Sequence, residues 1–411
     1  MSEAAPRRRA AFGFIFASAL ASTSAMMLIG PVLPNMVRDL NGGDTARAAE
    51  WMMLFAAGFG LAQFVCAPVL GMLSDRYGRR PVLLIANLGL SIDFLSMALA
   101  PTMGWLVVGR IVGGMTAATF AAANAYVADV TPPEKRAAAF GWMSSALSFG
   151  FLLGPAVGGA LGEIDTRLPF LVAAALTLAN VIYGALVLPE SLPLDRRTPR
   201  LDWRRATPLG SLTLLRQRED LLPLAFIGLL AAFSNMIWGT VWVLFCAHRF
   251  GWGSAAMGLQ IMAAGVLALL VQARLVGPIV ARIGDRGALF VGAAVNALAL
   301  VWAGASPNGF VFVLSMPFAA FGVLLTPALE SLLSRQVGAD MQGRLQGVTK
   351  SLYALAVVFG PAIYGMVFAW SLRQESGFEL SGLAVFVSAA FMGGCLLLAL
   401  TTRATQGHAS T

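Results

Sequence analysis

GMLSDRYGRRPVLL, residues 71–84, decides how this chain is read, because a fainter copy of it returns 206 residues later. Gly71 recurs as Gly277, Arg76 as Arg282, Gly78 as Gly284 and Arg80 as Arg286. The same offset carries Gly141 onto Gly347, Ser145 onto Ser351, Gly154-Pro155 onto Gly360-Pro361, and Gly159 onto Gly365. One constant shift across two separated blocks means two halves of equal topology. Both blocks lie between long apolar runs, and duplicated halves of that kind are how many membrane transporters are built.

Composition points the same way. The 411 residues are 58% hydrophobic and only 12% charged, against roughly 25% charged in soluble domains. Such a chain cannot cover a globular surface with polar groups, so lipid is the solvent for much of it. Twelve apolar spans are read at 11–35, 51–73, 82–101, 104–129, 138–162, 168–188, 221–247, 254–280, 287–305, 309–333, 347–370 and 381–401. Each is near the ~20 residues a bilayer needs. Backbone groups cannot go unpaired in hydrocarbon, so all twelve are expected to be helices. The fold expected is an all-α integral membrane protein: twelve transmembrane helices in two pseudo-symmetric six-helix halves, 1–188 and 221–411. A Pro-rich cytoplasmic linker at 189–220 joins them, with a short interfacial helix expected near 209–217.

A net charge of +8 raises nucleic acid as a partner, but its distribution excludes it. With both termini cytoplasmic, 21 of the 28 Lys and Arg fall on inside segments, among them Arg7, Arg8 and Arg9. Five (Arg38, Arg47, Arg167, Arg249, Arg373) fall outside. That bias is the positive-inside rule at work. Residues 7–25 also have the composition of a signal peptide, yet the apolar run continues through MMLIGPVLP, which suits an uncleaved first helix. Cys66, Cys246 and Cys395 are too scattered for a disulfide framework or a metal site, and read as small packing residues. No metal or cofactor is expected. No nucleophile–base pairing or phosphate-cradling loop appears, so an enzyme is not expected and a gradient must supply the energy.

Charges at membrane depth cost about 2.5–3.5 kcal/mol each on insertion scales and usually face a cavity. Asp93, in LGLSIDFLSMA, is the best candidate for a carboxylate that exchanges a proton. Arg110 is placed to balance an internal acid or a bound substrate. Glu330 is either a second proton carrier or a solvated end charge, and Asn124 occupies its repeat position. Arg274 either joins a cavity or snorkels to the inner surface. Asn235 and Trp238, with Trp242 and Phe245, form either an aromatic substrate pocket or a lipid-facing stripe. His248 and His408 sit at loop and tail, away from any mechanism.

In the 71–84 block, Asp75, Arg76, Arg79 and Arg80 occupy a very short cytoplasmic turn. A carboxylate there can accept from the bare N–H groups of a helix start, while the arginines pair with nearby acids. Asp129, at the inside end of span 4, is the expected partner of Arg79. Ala281 stands at the Asp75 position of the second copy, so the latch is expected to differ between halves. Span 5, FGFLLGPAVGGALG, sets Gly150, Gly154, Gly158, Gly159 and Gly162 around Pro155. That pattern is either a close-packing face or a hinge between rocking halves.

The stretches CAPVLGMLSDRYGRRPVLL (66–84), VGRIVGGMTAATFAAANAYVADVTPPEKRAAAFGWM (108–143), FGFLLGPAVGGALG (149–162), LPES (188–191) and LLSRQV (332–337) resemble the major facilitator superfamily. Within it they resemble the twelve-helix drug:proton antiporters and, among these, the tetracycline exporters. The resemblance implies alternating access by two six-helix halves and proton-coupled export of amphipathic drugs or of a home-made metabolite such as a siderophore. It implies a multi-pass protein of the bacterial inner membrane, working as a monomer with protons and a small molecule as its partners. It further implies gating by Gly71, Asp75, Arg76, Gly78, Arg79 and Arg80, and proton handling by Asp93 and Arg110. Those exporters also carry acids in spans 1 and 9 and a histidine in span 8, where this chain has Ser22, Asn296 and Ala268. An importer or facilitator on the same fold is the competing expectation, because such proteins share the 71–84 block.

Overall fold

The computed structural model describes residues 4–117, 119–198, 213–338, 341–374 and 380–401, and all regular structure among them is helical. The helices are α1 (Ala4–Leu28), α2 (Leu33–Leu40), α3 (Thr45–Tyr77), α4 (Arg79–Leu99), α5 (Met103–Thr116) and α6 (Thr119–Val130). There follow α7 (Arg136–Ile164), α8 (Leu168–Val187), α9 (Thr213–Gln217), α10 (Leu222–Asn235), α11 (Trp242–Phe250) and α12 (Ser254–Arg274). The last are α13 (Val276–Ala305), α14 (Gly309–Ala319), α15 (Leu325–Arg335), α16 (Gln342–Arg373) and α17 (Leu383–Thr401). Among the described residues ten segments are long and apolar enough to cross a membrane. The remaining two spans, 4 and 7, are each built from two shorter helices, α5 with α6 and α10 with α11. The twelve-helix fold is therefore complete. Of the interfacial helix expected at 209–217, only α9 lies within the described residues; residues 199–212 of the linker and His408 lie outside them.

The interruptions repeat with the sequence. Span 1 breaks between Leu28 and Leu33, at Gly30-Pro31, and span 7 breaks between Asn235 and Trp242, at the equivalent place. Span 4 stops at Thr116 and resumes at Thr119, while span 10 tightens into a 3₁₀ turn at Ala320–Leu324 between α14 and α15. Backbone groups freed at such breaks must find other partners. In the first, Leu33 N–H donates to Ile29 O at 2.8 Å; in the second, Trp242 N–H donates to Ile237 O at 3.2 Å. Pro68 lies inside α3, and its repeat position is Arg274, where α12 ends. The helix is interrupted only at Leu275 and continues from Val276 to the kink at Gly284, with Leu275 N–H donating to Val271 O at 2.8 Å and Ile279 N–H to Leu275 O at 3.0 Å. Pro155 and Pro361 lie inside α7 and α16.

The tight turns of the two copies share one backbone feature. Gly78 has φ 111° and Gly284 φ 70°, the left-handed region open to glycine without a Cβ clash. Each reverses the chain within a single residue.

By contacts the chain forms two compact units. One comprises Met1–Leu40, Gly58–Pro208 and Gly253–Met262; the other comprises Asn41–Ala57, Leu209–Trp252 and Ala263–Thr411. In the first, Ile15, Val82, Tyr126, Val127, Met143 and Leu188 close an apolar core where α1, α4, α6 and α7 converge. Deeper in the same bundle the buried polar groups satisfy one another, as an apolar interior requires. Ser22 Oγ donates to Asn87 Oδ1 at 2.8 Å, and Asn180 Nδ2 donates to Ser18 Oγ at 2.8 Å and to Asn87 Oδ1 at 3.2 Å. Outward-facing apolar side chains such as Ile164, Leu186, Leu298 and Phe310 are 70% or more exposed, as lipid demands.

The span 5 glycines form a seam. Methyl groups at Gly150, Gly154 and Gly158 would strike Thr23, Met27 and the Leu28 backbone of α1, and one at Gly159 would strike Ser254. Small residues at helical spacing are what permit that approach. Replacing Gly158 by leucine is expected to destabilise the bundle by about 1–3 kcal/mol, the usual cost of overpacking. Thermal unfolding of the purified protein in detergent measures it, and an unchanged midpoint would refute the seam.

Candidate functional site

Asp93 on α4 and Arg110 on α5 meet inside the first unit. Arg110 Nη2 donates to Asp93 Oδ2 at 2.5 Å and Nε to Oδ1 at 3.4 Å, a two-point contact. Asp93 is 0% and Arg110 8% exposed. A bare strip on α5 makes this possible: a methyl at Gly113 would overlap the Asp93 carboxylate, and one at Gly109 would strike Ser96. The sequence GRIVGG (109–114) thus does two jobs: it supplies the cation and clears space for its anion. Phe59 of α3 lies beneath the guanidinium, its ring centroid 4.8 Å from Arg110 Cζ, within the range of a cation–π contact. A buried pair of this kind is weak evidence for stability, because desolvation offsets the attraction, yet removing one partner typically costs 3–5 kcal/mol. Its chemical meaning is that one proton on Asp93 cancels the attraction.

The turn between α3 and α4 holds a second cluster. Arg79, half enclosed, donates from Nη1 to Asp75 Oδ1 at 2.6 Å and to Ser74 Oγ at 3.1 Å, and from Nε to Asp129 Oδ2 at 3.1 Å. The start of α4 has no side-chain cap of its own, since Gly78 stands at that position. Glu190 supplies it: its carboxylate accepts from the Arg79 N–H at 2.8 Å and the Arg80 N–H at 3.3 Å. This corrects the expectation for Asp75, whose carboxylate binds a side chain while Glu190 serves the helix start. Arg80 Nη2 donates to Ala185 O at 2.6 Å, Ser191 Oγ to Asp129 Oδ2 at 3.2 Å and Tyr126 Oη to Pro189 O at 2.9 Å. The LPES segment is therefore held at two points to the start of α4 and at two points to α6. Arg76 projects over the Tyr77 ring, and Gly71 is exposed. The missing signal for Glu190 was an absence: no Ser, Thr, Asp or Asn precedes Arg79, so the cap had to come from elsewhere.

The remaining candidates are not gathered into one site. Asn124 is exposed on α6 in the first unit. In the second unit, Asn235 donates to Ala231 O, and Trp238, in the span 7 break, packs on Trp242 with ring centroids 4.1 Å apart. Asn296 lies against Gly322 at the span 10 break. Arg274 and Glu330 are exposed, the one ending α12 and the other midway along α15.

Residues 15–361 match the profile of the Major Facilitator Superfamily. Over 369 residues the chain is 39% identical to the class C tetracycline resistance protein of Escherichia coli, covering 90% of this chain and 91% of that one. It is 30% identical to Multidrug resistance protein 2 of Bacillus subtilis (strain 168), covering 88% of each. Among solved structures, a bacterial homologue of the human lysosomal transporter Spinster, inward-facing and occupied, superposes with a TM-score of 0.75 over 97% of each chain. At 16% identity that likeness is one of fold.

Enlarging Gly113 to valine should push Asp93 off Arg110 without touching either ion. Proton-driven transport per inserted molecule is expected to fall at least about tenfold, equivalent to ~1.4 kcal/mol. Unimpaired transport by that variant would show that the close approach has no role.

Proposed function

The chain belongs to the Major Facilitator Superfamily, and we propose that it exports tetracycline-like amphipathic compounds in exchange for protons carried by the Asp93–Arg110 pair. It is a multi-pass secondary active transporter for proton-coupled drug efflux. The observation that carries the proposal is the two-point contact between an unexposed carboxylate and a guanidinium at membrane depth. With Asp93 ionised the two groups lock α4 to α5. When a proton enters, the carboxyl becomes neutral, the lock loosens, and Arg110 keeps only the face of Phe59. Release of that proton to the cytoplasm restores the lock. One charge moved across 100 mV is worth about 2.3 kcal/mol, and one proton exchanged per substrate then supports roughly 50-fold accumulation.

The other residues take supporting parts. Gly71, Asp75, Arg76, Gly78, Arg79, Arg80 and Asp129, held by Glu190, form a gate on the cytoplasmic side. Gly150, Gly154, Pro155, Gly158 and Gly159 form the seam along which helices shift. Asn124 in the first unit, and Asn235, Trp238, Arg274 and Asn296 in the second, are the candidates for substrate contact, and Glu330 offers a second protonatable group. Both termini face the cytoplasm of a bacterial inner membrane, and the monomer is the working unit. Ser22 and Asn296 leave the span 1 and span 9 positions uncharged, so substrate choice differs in detail from the tetracycline resistance proteins.

The deciding measurement is proton release from energised everted vesicles on adding tetracycline and other amphipathic drugs. Wild type is expected to release protons, and Asp93→Asn at equal insertion to lose nearly all of the response. Undiminished release from Asp93→Asn would sink the proton-carrier assignment, and drug-driven movement in the opposite direction would favour import.

A further inference from the structure

The offset that carries Gly78 onto Gly284 also carries Arg79 onto Asp285 and Asp129 onto Arg335. In each half these two positions pair. Arg79 Nε lies 3.1 Å from Asp129 Oδ2, and Arg335 Nη2 lies 2.8 Å from Asp285 Oδ2. The residue on the turn is the enclosed partner both times, Arg79 with 14% and Asp285 with 9% of its side chain exposed. The positions match while the signs are exchanged.

The surroundings explain why. Arg79 sits among carboxylates: Asp75 at 2.6 Å, Asp129 at 3.1 Å, and Glu190 on its own backbone N–H. An acid in its place would face all three. In the second turn Ala281 replaces Asp75, while Arg282 and Arg286 match Arg76 and Arg80, so the acid that helps to fix the sign of Arg79 is missing there. Ser331 Oγ, a hydroxyl able to donate or accept, donates to Asp285 Oδ2 at 2.9 Å.

We propose that Asp285 and Arg335 form a second gating latch of inverted polarity, interchangeable in sign, whereas the sign of Arg79–Asp129 is fixed by Asp75 and Glu190. The assignment of a gate rests on the reading of the first turn given above; the pairing itself does not. Exchanging Asp285 with Arg335 gives the second turn the charge order that Arg76, Arg79 and Arg80 already have opposite Asp129, which the backbone plainly accepts.

The test uses the full-length protein and two readouts: tetracycline-driven proton release in everted vesicles, and amide hydrogen exchange over 281–290 in detergent. Asp285→Arg and Arg335→Asp are each expected to lower transport and speed exchange at least about fivefold, since an attraction becomes a repulsion. The double exchange is expected to return both readouts to within about twofold of wild type. Arg79→Asp combined with Asp129→Arg is expected to remain defective. Persistent defects in the second-half exchange would overturn the latch, and recovery in the first-half exchange would overturn the fixed polarity. If the reversals do not insert, Asp285→Asn and Arg335→Gln replace them, and effects that simply multiply in the double variant refute the pair. Loss of tetracycline response in wild type, or no transport defect from altering Arg79, would count against the function or the first gate, while exchange over 281–290 still reports on the second latch.

Discussion

No backbone amide can be left without a partner in hydrocarbon, and the rest of this structure follows from that constraint. It forces every span into a helix, and a helix offers few ways to place a functional group except by what its side chains leave out. Glycine is the main tool. Gly109 and Gly113 let α5 accept the Asp93 carboxylate against its own surface, Gly114 lets it lie against Phe59 and Ala62 of α3, and the span 5 glycines let α7 lie against α1. Where the helix must stop, at Gly30-Pro31 or before Trp242, turn-type hydrogen bonds take over. Spans 1 and 7, and spans 4 and 10, carry these interruptions at matching depths, so irregular backbone is itself part of the repeat.

Much of this was legible from residues alone. The 206-residue offset announced the halves, the run lengths announced the spans, and Asp93 and Arg110 stood out as charges in apolar surroundings. Their mutual contact was harder to read. The two are 17 residues apart across a turn, and nothing in the sequence states which face of α4 meets which face of α5; only the glycines on α5 hinted at it. The one-residue interruption at Leu275 was hidden because both apolar character and helical hydrogen bonding continue past it.

Long-range capping was the least legible element. Glu190 lies 111 residues from the backbone N–H it accepts, and no local rule reaches that far. Its effect is to tie the end of α8 to the start of α4, so that the turn between α3 and α4 is anchored by both backbone and side-chain contacts. Arg79 and Asp129 are thereby held in a fixed frame, which a loose surface ion pair lacks.

The neutral cluster of Ser18, Ser22, Asn87 and Asn180 restricts what position 22 can hold. Ser22 occupies the place where the resembling exporters carry an acid, and its hydroxyl donates to an amide oxygen that Asn180 also serves. An aspartate at 22 would bring a carboxylate against that oxygen. The Asn87 amide would have to turn over, giving up its bond to Leu83 O and the donation from Asn180. Ser22→Asp is therefore not a local change: the neighbours of position 22 are arranged for a neutral hydroxyl.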